Sequence, residues 1–309
     1  ELFNQFYNTV KKDIKNSETY SGNVARSFPI FGIKINTPFK LHKNLFDFTY
    51  KPGLSLILTP GKSNSEKISN EDSSLNTYSA TNEIRLNRYT GSDKLDNSKR
   101  LVTSFDISNN NIQMNLSQSY EFTDNSNFHK DSGNNENLGN LLGSFKFNKF
   151  KNVFEYNFRY DHSNKYLKQQ NINYENANSL GTIELSYLDQ NSESDSVITN
   201  DIETLNYKFN SKKIRKFSKI SLTGLYNLKS SINTEYGLNY SYFDECFGIN
   251  IDFNRKSYTE DTLKPQDTLT IMFSFKNVGS YRSTNLAVSE NDKQDIRWES
   301  NSVKNELFN

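Results

Sequence analysis

The sequence predicts an all-β protein: an antiparallel up-and-down transmembrane β-barrel, partial, with about 13 or 14 strands of a larger barrel present. Three observations carry that expectation. Apolar and aromatic residues recur at every second position, as in Tyr236-Gly-Leu-Asn-Tyr-Ser-Tyr242, Phe247-Gly-Ile-Asn-Ile-Asp-Phe253 and Leu269-Thr-Ile-Met-Phe-Ser-Phe275, and strand side chains alternate faces with that period. Only 34% of the 309 residues are hydrophobic, while 14% are aromatic; a soluble domain has about 45 to 50% apolar residues. A wall with one face toward a wet lumen accommodates such a composition, because half of each strand then meets water. Finally, the gaps between alternating runs tend to be short on one side and long on the other, the asymmetry of barrels with tight periplasmic turns and extended extracellular loops.

The totals exclude several classes. A net charge of +1 supplies no field that would steer the chain to nucleic acid. No run approaches the roughly 18 apolar residues of a membrane helix, so membrane entry has to use strands. The chain starts at Glu1 with no initiator Met and no apolar leader, which reads as a fragment or mature segment. Cys246 is the single cysteine, and is either a free thiol or the partner of a cysteine outside this segment.

Taken in order, residues 1–22 form a polar segment with a strand remnant around Leu2, Phe3 and Phe6. The barrel region is expected over 23–278. Val24 to Ile35 and Phe46 to Leu58 read as strands, with Pro29, Pro38, Pro52 and Pro60 at ends or bulges because proline cannot donate to a ladder. Thr59 to Arg100 is a long polar connection with a short strand at Ile84 to Tyr89; connections of that length are functional or mobile. Leu101 to Ile107 and Ile112 to Phe122 form a hairpin across Ser108 to Asn111, followed by a second long loop, Thr123 to Asn140. Leu142 to Phe150 pairs with Val153 to His162, and Tyr166 to Tyr174, Leu180 to Leu188, Ile202 to Phe209 and Phe217 to Leu228 continue the meander. Residues 279–309 are polar, without period, and are expected to be a disordered tail.

Val153-Phe-Glu-Tyr-Asn-Phe-Arg-Tyr-Asp161 is the most regular run: aromatics on one face, Glu155, Asn157, Arg159 and Asp161 on the other. Periodicity alone does not distinguish a soluble sandwich from a lumen wall, but runs of about ten residues match a tilted membrane strand. Little here suggests catalysis. Asp161-His162-Ser163 carries the letters of a hydrolase triad, yet triads converge in space and not in sequence. His42, His129 and His162 lack metal-ligand spacing, and no phosphate-cradling glycine loop is present, so neither an enzyme nor a cofactor is expected. Lys146, Arg159, Lys208 and Lys219 are the lumen candidates, which would either solvate a wide pore or meet the phosphates of a lipid-sugar substrate.

Several segments in a consistent order resemble one known family. Asp244-Glu-Cys-Phe-Gly, Leu263-Lys-Pro-Gln-Asp-Thr268 and a final strand ending Phe275-Lys-Asn-Val-Gly279 lie near the C-terminus; Asn70-Glu-Asp-Ser73 and Asn82-Glu-Ile-Arg-Leu-Asn-Arg-Tyr-Thr-Gly-Ser-Asp93 lie in the first long loop, with Arg26-Ser-Phe-Pro29 as a weaker echo. Together they resemble the LptD (OstA/Imp) family of outer-membrane lipopolysaccharide assembly proteins. The resemblance implies a barrel of about 26 strands, of which this is the C-terminal part, inserting lipopolysaccharide into the outer leaflet through a lateral gate. It further implies a periplasmic N-terminal domain that meets an LptA-like bridge protein, an LptE-like plug lipoprotein in the lumen, and contact with outer-membrane lipids. Leu269, Thr270, Ile271, Met272, Phe273, Ser274 and Phe275 would be the gate's last strand. Asn70, Glu71, Asp72, Ser73, Asn87, Arg88, Gly91 and Asp93 would be the family-motif loop residues. Cys246 would bond the absent N-terminal domain, although Phe247 stands where some members have a second, adjacent cysteine. Two other readings fit the same alternation: an outer-membrane porin or nutrient transporter, and a soluble or surface β-rich adhesin.

Overall fold

The computed structural model describes residues 1–14, 18–43, 46–59, 64–73, 80–123, 137–191, 201–214, 216–257, 265–283, 286–287 and 298–301. Segments 258–264, with Leu263 and Lys264, and 124–136, with His129, lie outside the described residues, as do Pro60 and most of the tail. Within them are β1 (Leu2–Ile14), β2 (Glu18–Pro29), β3 (Phe31–Asn36), β4 (Phe39–Lys43), β5 (Phe46–Leu58), a short helix α1 (Ala80–Glu83), β6 (Lys99–Ser108), β7 (Ile112–Glu121), β8 (Leu141–Lys149) and β9 (Asn152–Asp161). There follow β10 (Tyr166–Ala177), β11 (Gly181–Gln190), β12 (Ile202–Ser211), β13 (Ser218–Asn227), β14 (Ile232–Phe243), β15 (Phe247–Lys256), β16 (Gln266–Phe275), β17 (Gly279–Ser283), β18 (Leu286–Ala287) and β19 (Trp298–Asn301). They fall into two compact units, the first mainly Glu1–Phe147 with Glu155–Gln170, the second mainly Asn171–Gln190 with Asp201 onward.

In the first unit β3 and β4 share one edge of β5, whose other edge pairs with β6, and β7 and β8 follow, all antiparallel. Pro52 sits where that edge of β5 changes partner: β4 pairs with 46–50 and β3 with 53–58. The donor that proline lacks is therefore not needed there. In the second unit β11 to β16 form an unbroken antiparallel meander.

The short turns share one chemical device. The side-chain oxygen of Asn109 accepts from the N–H groups of Asn111 (2.8 Å) and Ile112 (2.6 Å). Asn178 does the same for Leu180 and Gly181, and Asp244 for Cys246 and Phe247. An Asx side chain so placed mimics a backbone turn, which is why Asn and Asp sit at these corners. The Cys246 and Phe247 N–H groups hold the Asp244 carboxyl below the usual carboxylate range. The triad letters at Asp161 have a similar explanation: its carboxylate accepts from Asn164 N–H (3.0 Å) and pairs with Lys168.

Register gives each sheet two unlike faces. Across β13 and β14 Leu222 faces Leu238, and across β14 and β15 Leu238 faces Phe253; Leu222 and Leu238 remain 43% and 45% exposed. In the first unit Phe31, Ile33, Leu54 and Phe105 are likewise exposed. A stacked second sheet would have buried these rows, so the sandwich reading fails within each unit. The opposite faces are polar and bonded across strands: Asn239 donates to Asn250 (3.0 Å) and Asp252 (3.2 Å), Ser221 to Asn210 (2.8 Å), and Lys208 pairs with Glu184 (3.3 Å).

Several expectations need correction. Residues 1–22 are no remnant: β1 and β2 form their own two-stranded sheet. The run from Val24 to Ile35 breaks at Ile30, which is 1% exposed and donates its N–H to the Glu1 carbonyl. Its burial turns the chain out of line after Pro29. Ile84 to Tyr89 is not a strand but follows α1, with Ile84 and Leu86 packed on the core of the first unit. Leu269–Phe275 is not the last strand, because β17 pairs with it, β18 pairs with Thr268 and Leu269, and β19 pairs with β17. The tail therefore begins with a strand at Gly279, too short and polar to show a period.

Candidate functional site

The family-like motifs of the first long loop converge on the polar face of the first unit. Their centre is Asp72. Its carboxylate accepts from the backbone N–H groups of Ser92 (3.0 Å) and Asp93 (2.9 Å) and from the hydroxyls of Ser92 (3.1 Å) and Ser73 (2.8 Å). Asp93 reciprocates, accepting from the N–H groups of Glu71 (2.8 Å) and Asp72 (3.1 Å). Asn70 bonds Ser73 through both its amide N and its amide O. Glu71 contributes only its backbone; its side chain points to solvent. Gly91 has φ +70, and a Cβ there would come within 2.4 Å of the Asp72 carbonyl oxygen. Both the left-handed backbone and the close approach demand glycine.

Arg26 ties the β1–β2 hairpin to this knot. Its guanidinium donates to the carbonyls of Ser92 (2.6 Å) and Asp93 (2.8 Å) and to the side chain of Gln5. Thr9 and Lys12 add bonds to the carbonyls of Lys67 (3.0 Å) and Ile68 (2.6 Å). Beside them Lys12, Asn64, Asn70, Tyr89 and Lys94 line a cavity of about 490 Å³. Burial, with Asp96 adding to it, pushes the Tyr89 hydroxyl up to about 12, so it is a neutral donor at that wall.

Deeper lies a fully buried charge cluster. Arg88 grips Asp96 with two nitrogens (2.7 and 3.3 Å), reaches Glu83 (3.3 Å) and bonds Glu121 of β7. Arg100 reaches Asp96 (2.8 Å) and, like the other four, is no more than 1% exposed. Burial by itself would lower the Arg88 guanidinium; Asp96, Glu83 and Glu121 outweigh it, the net direction is upward, and the residue stays charged. Phe28, Ile30, Ile57, Leu95 and Val102 form the hydrophobic core cluster of the described residues, with Phe3, Ile84 and Leu86 packed against it.

Of the predicted residues, the structure thus brings Asn70, Asp72, Ser73, Asn87, Arg88, Gly91 and Asp93 together, Asn87 by accepting from the N–H of Asp96 (3.0 Å). Lys208 and Lys219 lie on one polar face, since the residues opposite them, Thr223 and Ser241, share it. Lys146 is on the polar face of the first unit, ion-paired with Glu155. Arg159 is 3% exposed and does not solvate a pore. Cys246 is exposed in the Asp244 turn and unbonded to another cysteine. The residues expected to form the gate split by parity: Leu269, Ile271, Phe273 and Phe275 face Phe253, Ile251, Ile249 and Phe247, while Thr270 faces Asp252. Sequence reasoning missed Glu83, Asp96, Arg100 and Glu121. One signal was available, because the hairpin register across Ser108 to Asn111 sets Arg100 opposite Glu121.

Asp72 gives a pH prediction. The Asp93 N–H, then the Ser73 hydroxyl, hold its carboxyl well below the usual carboxylate range. A depressed folded value stabilises above the unfolded value of about 3.9. Amide-exchange protection at Ser92 and Asp93, corrected for intrinsic rates, should be full at neutral pH, begin to fall as pH drops below that value and vanish only below the folded one. Asp72→Asn should show weaker protection without that pH dependence.

The family model LptD, LPS transport system D, matches residues 2–232, well over half of the chain. No curated protein matches. Similar solved structures include two mutants of the Rh. blastica porin, one at 8% identity over 93% of this chain and 92% of that chain, the other at 10% over 91% and 91%, each with a TM-score of 0.35. The motif loop and its charge cluster fall inside the family match, and the two-faced sheets are those of part of an outer-membrane β-barrel. The chain belongs to the LptD family, whose members serve lipopolysaccharide transport at the outer membrane.

Proposed function

We propose that the chain forms part of the wall of a translocon that inserts lipopolysaccharide into the outer leaflet, hydrating the sugar portion along its polar faces while the acyl chains leave sideways. The observation that carries this is the continuous polar row across β12 to β16, with Lys208, Lys219, Asn239, Asp252 and Thr270 on one face and exposed apolar side chains on the other. No catalytic step is needed; the chain lowers the cost of moving a charged, sugar-bearing headgroup past hydrocarbon.

We place the exit seam at β16. On its inner edge ten consecutive residues pair with β15, whereas on the other edge, among the described residues, β17 takes Met272 to Phe275 and β18 takes Thr268 and Leu269. An edge shared by two short strands, β17 and β18, in place of one ten-residue partner makes that junction the easier one to part. Cys246, on an exposed turn, is the attachment point for a disulfide to the periplasmic N-terminal domain. An LptE-like lipoprotein would support the lumen, and an LptA-like protein would deliver lipopolysaccharide.

The test is depletion of the full-length protein in its own cell while newly made lipopolysaccharide is followed. Arrival at the surface should stop, and resupply should restore it. Unchanged arrival accompanied by lost uptake of small solutes would overturn the proposal in favour of a passive channel.

A further inference from the structure

We propose that residues 64–73 and 80–98 form a lid that closes over the polar face of β5 to β7 as one rigid body, held down by Arg88 on Glu121 and by Arg100 of β6 on Asp96. The two arms are a single unit because the Asp72–Asp93 knot joins them, and because Asn64 bonds Leu95 in both directions, donating to its carbonyl and accepting from its N–H at 2.9 Å each. The hairpin rides with them through Arg26, Thr9 and Lys12. On its underside the lid seats Leu95 against Ile57 and Val102. Leu86 enters where Gly32 has no side chain; a Cβ there would lie 2.2 Å from Leu86 Cδ2.

Two features mark this seat as reversible and not as an ordinary core. The face beneath is a strand face with polar positions: Ser55, Val102 and Ser119 follow one another in register across β5, β6 and β7. The hydroxyls of Ser55 and Ser119 are buried, at 2% and 1% exposure, without a hydrogen-bond partner among the described residues. Drying a hydroxyl without pairing it is unfavourable, so lifting the lid would return that energy through hydration. What opposes lifting is shared on the wall between Glu121 of β7, which accepts from both Arg88 and Ser98, and Arg100 of β6, which donates to the Asp96 carboxylate and to the carbonyls of Glu83 and Arg85. The lid's purpose rests on the reading of the polar face as the transport path; its existence does not.

The test uses the full-length protein with Ser119→Cys, under the lid, and separately Ser144→Cys, on the same polar face in β8 and only half-buried. Each is exposed to a charged maleimide, and labelling is read by peptide mass spectrometry so that Cys246 is distinguished. We expect the residue-119 thiol to react at least about tenfold more slowly than the residue-144 thiol, and Glu121→Gln to narrow that difference. Equal rates in the otherwise native chain would overturn the lid, and an undiminished difference in Glu121→Gln would overturn the part of Glu121 in the latch. Retention of the folded barrel is checked by its heat-dependent gel shift. If Glu121→Gln does not fold, Arg88→Lys, which keeps the charge but loses the fork, replaces it with the same two outcomes. Failed lipopolysaccharide transport with normal labelling would refute the function and leave the lid standing.

Discussion

Arg88→Met should release the first long loop from its sheet and cost about 3 to 5 kcal/mol of local stability, the range for removing one partner from a buried ionic cluster. The guanidinium bonds Glu83, Asp96 and Glu121, each no more than 1% exposed. Methionine fills the volume but leaves three carboxylates facing one another, with Arg100 their remaining cation in the cluster. Those carboxylates must then take up protons or water, and both outcomes open the packing around Leu95 and Val102. Limited trypsin digestion at neutral pH should cut after Lys67, Arg85 or Lys94 in the variant at concentrations that leave these sites intact in the native chain, while the strands resist. Equal resistance in both chains would mean that apolar contacts alone seat the loop.

Leu238→Arg should cost about 2 to 4 kcal/mol, the penalty for a cation at the lipid midplane of a barrel. Leu238 is in the middle of β14, flanked in register by Leu222 and Phe253 on the apolar face. The same change on a water-facing surface falls within about 0.5 kcal/mol, so urea unfolding of the reconstituted protein discriminates the two environments. Ser241→Glu is the control. It lies three residues on, on the polar face opposite Lys219, and a carboxylate there gains a cross-strand partner, so its unfolding midpoint should stay near the native one. A neutral Leu238→Arg would remove the membrane from the description of this face.

Much of the sheet was legible because period-2 alternation acts locally. Phe46 to Leu58 was bounded correctly, and the side taken by Lys208, Lys219 and each gate residue follows from parity alone. The corners at Asn109, Asn178 and Asp244 were legible as turns for the same reason: each side chain bonds N–H groups two and three residues on. Where the local signal is short it misled. From Ile84 to Asn87 the residues alternate, yet Ile84 and Leu86 are apolar because they pack on the core of the first unit. At Gly279 to Ser283, three glycine or serine residues and an arginine leave no apolar row, and the edge of β16 makes a strand of them.

By itself the sequence determined two-faced strands, their turns and a motif-bearing loop of the LptD family, since each depends on residues within a few positions of one another. The tertiary structure decided that Asp72 meets Ser92 and Asp93, that Arg26 reaches the same knot, and that Arg88 closes on Glu121 of β7. Those bonds join residues 20 to 67 positions apart. Their partners are chosen by which charges become desolvated together, a property of the packed chain that no local period records.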